Sequence, residues 1–103
     1  MHALITGSFR QHNPESLDQL MSALEISYPE ITKITTGLWV GTDQLVCSWG
    51  RSNGVPTSQI SLEKGVIPSD VDLLAILTCH NDYAECETLV DAAKRIKIPV
   101  VLW

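Results

Sequence analysis

Residues suited to hydrogen bonding, stacking or proton transfer cluster where strands of this chain are expected to end. The candidate ligand-binding residues are Thr6, Gly7, Ser8, Arg10, Gly37, Trp39, Gly41, Thr42, Asp43 and His80. Glycine allows close approach to the backbone, and a guanidinium or a free backbone N–H donates well to an anion. The pattern predicts a small-molecule site built from several loops.

The stretch from residue 35 to residue 56 organises the chain. It is typical of a strand end, a glycine-rich loop, a helix and a helix stop, with Thr42 as the predicted N-cap and Gly54 as the left-handed stop. A glycine loop leading into a helix start suits phosphate. The alternatives are that Gly37 and Gly41 only permit a turn, and that Asp43 only complements the helix dipole rather than binding a ribose hydroxyl or a cation.

Three other candidates each have two interpretations. Arg10 is either the main cation for a phosphate or a solvated side chain. Trp39 either stacks on a base or packs within its loop. His80 is either a general base at the ligand or an exposed loop histidine.

The spacing and the neighbours of the cysteines argue against a metal site and against a catalytic thiol. Cys79 and Cys86 are too far apart for the short spacing of zinc ligands, even with His80 and Asp82 between them. Cys47 has no adjacent basic residue in the sequence to activate it. Neither a metal nor another cofactor is expected.

The elements that must position these residues alternate along the chain. Strands are predicted at 3–6, 31–36, 57–62, 71–77 and 98–103, and helices after Asn13, after Gly41 and from a capping-box pair at Asp82 and Glu85. Alternation predicts a parallel sheet, hence a single Rossmann-like α/β domain of five strands and about three helices over residues 1–103. Ligands then bind where the strands end, at the loops 7–13, 37–43, 62–65 and 78–82.

The composition of the chain limits the kinds of partner that it is expected to bind. The chain has 103 residues, a formal net charge of −5 and a pI near 4.9, which argues against nucleic acid or an anionic membrane as the partner. No apolar run approaches the ~20 residues that span a bilayer, and the N-terminus does not resemble a signal peptide. An odd cysteine count without a framework spacing indicates a reducing cytoplasm.

The chain resembles the SLOG superfamily, especially its YspA-like branch, as a shortened member. The resemblance is carried by Ile5-Thr6-Gly7-Ser8-Phe9-Arg10, by Gly37, Gly41, Thr42-Asp43-Gln44-Leu45, Trp49 and Gly54-Val55-Pro56, and by Asp91-Ala92-Ala93-Lys94 to Ile98-Pro99-Val100-Val101. It covers most of the chain and implies the strand order 3-2-1-4-5 in a three-layer fold. It also implies a function in binding or processing nucleotides and nucleotide-derived ligands.

The chain departs from that family in two places, and both departures argue against catalysis of the family's kind. The segment 63–70 is too short for the family's helix between strands three and four, and 78–86 lacks the glycine-rich phosphate loop. The leading hypothesis is therefore a non-catalytic binding domain for a nucleotide or nucleotide-derived ligand. The alternatives are a small nucleotide N-glycosidase or phosphoribohydrolase, with His80 or Asp82 acting with Asp43, and a protein-interaction module that has lost the pocket.

The short segment 63–70 also predicts a homodimer. Strand four is apolar on both sides, so a missing helix would leave one face of the sheet bare. A second copy of the chain is the expected cover, because two-fold homodimers are the commonest oligomers.

Overall fold

The protein is a five-stranded α/β domain, described by a computed structural model over residues 1–62, 65–79 and 83–103. The elements alternate as predicted, with a short 3₁₀ turn at Ala84–Cys86 directly before the last helix. In chain order they are β1 (His2–Gly7), α1 (Pro14–Ser27), β2 (Lys33–Thr36), α2 (Thr42–Asn53), β3 (Thr57–Gln59), β4 (Leu73–Leu77), α3 (Glu87–Ile96) and β5 (Val100–Leu102).

The sheet is parallel throughout, and its order β3-β2-β1-β4-β5 is the predicted one. Leu4 of β1 pairs with Leu74 of β4 on one side and with Thr35 of β2 on the other. The sheet therefore has its central strand at β1, and the carboxyl ends of β1, β2 and β4 meet at one rim.

A hydrophobic core lies on each face of the sheet. Ala3 and Ile5 point to the face covered by α1 and α2, and Leu4 points to the face covered by α3, because successive strand residues alternate. The first core contains Leu17, Leu20, Met21 and Leu24 of α1 and Val46 of α2. The second contains Leu89, Val90 and Ala93 of α3. These helical spacings of three and four are the ones that make an apolar stripe.

Local signals explain the start of α1 and the end of α2. The Asn13 side chain accepts from the Glu15 N–H at 3.0 Å and precedes Pro14 at the first helical position. Gly54 takes the left-handed conformation after α2, with φ 66°. The prediction that Thr42 caps α2 is wrong: Gly41 is the N-cap, and Thr42 begins the helix. The predicted capping-box residue Asp82 lies outside the described residues.

The face over β4 is not bare, so the ground on which the homodimer was predicted is wrong. Every residue of β4 is at most 1% exposed within the single chain. Leu62 and Ile67, from the described ends of the short connection, pack against the second core. A separate helix is not needed to bury this strand.

Polar side chains of β1, β2 and β3 form hydrogen bonds to one another on the face of the sheet that the short connection crosses. They explain why this part of the sheet does not need a helix packed over it. His2 Nε2 lies 2.6 Å from Thr35 Oγ1, which lies 3.0 Å from Ser58 Oγ. The other ring nitrogen of His2 lies 3.2 Å from Asp70 Oδ2 in the connection. Hydrogen-bonded polar groups replace the apolar face that a helix would have to bury.

Asp70 should make the stability of this connection acid-sensitive. Partial desolvation opposes the change, but a backbone hydrogen bond and the charges of His2 and Lys33 hold the pKa of the Asp70 carboxyl below its usual range. Its stabilising effect is therefore complete above the unfolded-state pKa of about 3.9 and is lost as pH falls through the lower folded value.

We expect the urea midpoint difference between the native protein and Asp70→Asn to be present at pH 5, to shrink as the pH falls below about 4, and to vanish only below the lowered pKa of the folded protein. Lys33→Met removes one partner, 3.6 Å away, and should reduce the difference only in part. A difference that persists undiminished in acid would show that Asp70 acts through something other than its charge.

Among the residues that the structure describes, no helix is both long and apolar enough to cross a membrane.

Candidate functional site

A cavity of about 310 Å³ lies at the rim where β1 and β2 end. Its described lining is Thr6, Gly7, Phe9, Trp39, Asp43, Leu62, Cys86, Thr88 and Leu89. Four of the predicted site residues, Thr6, Gly7, Trp39 and Asp43, are thus brought together. Ligand cavities commonly span ~300–1,000 Å³, so this one has room for a base or a nucleoside rather than a dinucleotide.

The Asp43 carboxylate is the polar centre of the cavity wall. It is 3% exposed and sits in the first turn of α2. Its Oδ1 accepts from the Thr6 hydroxyl at 2.5 Å and from the Thr36 hydroxyl at 2.9 Å. Its Oδ2 accepts from the Trp39 N–H at 3.2 Å. Asp43 therefore ties the ends of β1 and β2 to the loop before α2, beyond any role in the helix dipole.

The two glycines of that loop are needed by the chain itself. Gly41 has φ 74° and ψ −125°, and a Cβ there would run into the carbonyl of Phe9. A Cβ on Gly37 would meet the Asp43 carboxylate and a methyl group of Leu62. Neither is in the described lining of the cavity. The structure thus supports the interpretation that both glycines permit close packing of the loop.

The start of α2 is occupied by the chain. The Thr42 N–H and the Thr42 hydroxyl both donate to the Ser8 carbonyl, at 3.2 and 2.9 Å. The Ser8 hydroxyl accepts from the Arg10 N–H at 3.1 Å, and the Ser8 side chain is buried. Ser8, Thr42 and the exposed Arg10 lie outside the described cavity lining. The start of α2 therefore binds the loop that follows β1, and so connects it to the loop that precedes α2.

Two aromatic rings stand at the cavity, one of which the sequence analysis did not select. Phe9 and Trp39 have ring centroids 5.9 Å apart at an interplanar angle of 41°. Trp39 is 52% exposed, so it does not pack as a buried wedge of its loop. Leu38 and Val40 beside it are also exposed. A large exposed aromatic ring at a cavity offers a surface for stacking.

The opposite wall combines Leu62, from a loop that was predicted to lie at the ligand rim, with the start of α3, whose apolar face was predicted to be structural. Leu62 follows β3, and Cys86, Thr88 and Leu89 belong to the turn and the first residues of α3. Leu62 and the buried Cys86 and Leu89 give this wall its apolar character. Only the rim rule for parallel sheets could have indicated them, because apolar core residues carry no separate functional signal.

Cys47, on α2, is not poised for nucleophilic chemistry. Burial raises the pKa of its thiol, the Asp43 charge raises it further, and Arg51 only partly opposes them. Among the described residues, no disulfide joins Cys47, Cys79 or Cys86.

His80 lies outside the described residues, and so do Asp82 and the neighbouring Asn81. Within residues 1–62, 65–79 and 83–103, no three His, Cys, Asp or Glu side chains are grouped as metal ligands would be.

The chain matches no protein-family model. No curated protein is significantly similar to it.

Proposed function

We propose that the protein is a binding domain for a nucleotide or nucleotide-derived ligand, held at the carboxyl ends of the strands. The observation that carries the proposal is the 310 Å³ cavity with an exposed Trp39 on one side and a buried Asp43 carboxylate in its wall. A flat ring that stacks on Trp39 would present its edge to polar groups of this wall. The SLOG resemblance of the sequence supports the same ligand class.

The binding role is proposed as non-catalytic. Asp43, the described candidate for acid–base work, already accepts three hydrogen bonds from its own chain. A general base must be free to take a proton from the substrate at hydrogen-bond distance. The described cavity lining favours holding a ligand over transforming it.

Ligand binding is tested by thermal shift and isothermal titration with nucleobases, nucleosides and nucleotides. A ligand present at 100 times its dissociation constant should add about 2.7 kcal/mol to the free energy of unfolding. No shift of the melting temperature with any compound would overturn the proposal.

Trp39→Ala should weaken the ligand found in that screen by about 1–3 kcal/mol, because stacking on an aromatic ring is lost. Trp103→Ala is the matched control: Trp103 is 45% exposed and lies by α1, away from the described cavity lining. Equal losses in the two variants would remove Trp39 from the site.

We also propose that the protein is a homodimer, joined through the exposed apolar side chains of Leu38 and Val40 on either side of Trp39. Exposed apolar residues close together form the kind of patch that associating surfaces present. Light scattering should give twice the chain mass of 11.4 kDa, and Leu38→Ser with Val40→Ser should restore the single mass. A native protein that stays at the single mass as its concentration rises would contradict the dimer.

Three cysteines that form no disulfide support a reducing compartment, and we propose the cytoplasm.

A further inference from the structure

The cavity wall has an electrostatic character that bears on which part of a ligand it holds. Asp43 is the one charged residue among the described residues that line the cavity, and its charge is negative. In this partly buried site the Asp43 charge opposes an incoming phosphate.

Three backbone N–H groups at this rim, which could otherwise bind a phosphate, already donate to acceptors within the chain. The first N–H of α2, from Thr42, donates to the Ser8 carbonyl. The Ser8 N–H donates to the Leu77 carbonyl at 3.1 Å, and the Trp39 N–H donates to Asp43. An anion site at a helix start depends on free N–H groups. These three N–H groups, from the loops and the helix start that the sequence suggested for phosphate, stabilise the fold instead.

The Asp43 carboxylate in the cavity wall can accept one more hydrogen bond, from a donor group of a ligand. A carboxylate oxygen has two lone pairs. Asp43 Oδ1 accepts two hydrogen bonds within the described chain, whereas Oδ2 accepts a single long one, from Trp39 at 3.2 Å. One lone pair of Oδ2 is left for a ligand N–H, within the same wall that carries the Trp39 ring. A hydrogen bond to an ionised carboxylate is among the stronger kinds.

We propose that the ligand enters with its base and not with its phosphate: a nucleobase or nucleoside whose exocyclic amino group donates to Asp43 Oδ2 while its ring stacks on Trp39. Any phosphate stays outside the cavity. This inference rests on the proposed function and deepens it. It assigns the site to the amino-bearing nucleosides, with the ring held between the aromatic side and the apolar wall at Leu62 and Leu89.

The first test compares adenosine, guanosine and cytidine with their 5′-monophosphates by isothermal titration against the native protein. The dissociation constant should rise about tenfold from the tightest nucleoside to its monophosphate. The gap should close at ~1 M salt, where the Debye length is about 3 Å. A monophosphate that binds more tightly than its nucleoside overturns the inference and leaves the proposed function standing. If nothing in the panel binds, the proposed function fails as well.

The second test isolates the amino group. The tightest nucleoside is compared with its N,N-dimethyl analogue, which keeps the ring but cannot donate from the amino nitrogen. The analogue should bind about ten- to a hundredfold more weakly, because a hydrogen bond to a charged group is lost. Equal affinity would remove Asp43 as the acceptor.

A third test offsets the negative charge of the wall without touching Asp43. Thr88 is exposed and lines the cavity, so Thr88→Lys should fold. The variant should bind the monophosphate at least as tightly as the nucleoside, and Thr88→Gln, the neutral control, should keep the native preference. If Thr88→Lys leaves the tenfold gap unchanged, the wall charge does not set the selection and the inference fails.

Discussion

Replacing Gly41 by alanine should destabilise the fold far more than the same change at Gly54. Both glycines have positive φ, at 74° and 66°. At Gly54 the new Cβ meets nothing within 4 Å, so only the left-handed conformation is penalised, by about 1–2 kcal/mol. At Gly41 the Cβ meets the Phe9 backbone, which cannot swing aside as a side chain could.

The expected loss at Gly41 combines two costs. A sparsely populated φ/ψ costs about 1–3 kcal/mol, and forcing backbone apart costs about 1–3 kcal/mol more. The sum, roughly 2–6 kcal/mol, is a large part of the ~5–15 kcal/mol that stabilises a typical protein. Urea unfolding followed by circular dichroism measures both variants. Equal losses at the two positions would mean that the loop yields and that Phe9 does not constrain it.

Removing the Asp43 carboxylate should be the most damaging polar change in the described chain. In Asp43→Ala the Thr6 and Thr36 hydroxyls and the Trp39 N–H lose their acceptor. A buried donor left unsatisfied costs about 1–3 kcal/mol, and because hydroxyls can turn to other acceptors we expect a total near 3 kcal/mol. Asp43→Asn keeps one oxygen and should lose about half of that.

Glu15→Ala is the control that distinguishes the loss of the Asp43 hydrogen bonds from the loss of an interaction with the helix dipole. Glu15 also lies in the first turn of a helix, but it is exposed. Its loss should cost only the ~0.3–1 kcal/mol of an interaction with the helix dipole. Comparable losses for Glu15→Ala and Asp43→Ala, measured by urea unfolding, would reduce Asp43 to a dipole residue and remove it as the centre of the cavity wall.

Short-range patterns determined the elements of this protein. The apolar run at Leu73–Leu77 marked an interior strand that is buried on both faces, as continuous runs do in parallel sheets. Pro14 and Gly54 marked a helix start and a helix stop, because their backbone preferences act on neighbouring residues alone. The alternation of strands with helices then led to the parallel sheet, and the resemblance supplied its order.

Tertiary structure decided what the site residues do. The partners of Asp43 and Thr42 include Thr6 and Ser8, which are 37 and 34 residues away in the chain. No local pattern could show that the Ser8 carbonyl accepts the first N–H of α2. The second wall of the cavity, at Leu62 and Leu89, likewise forms only when the connection and α3 fold over the sheet. The sequence could place hydrogen-bonding groups at one rim, but which of them remain available to a ligand depends on long-range packing that satisfies the others within the chain.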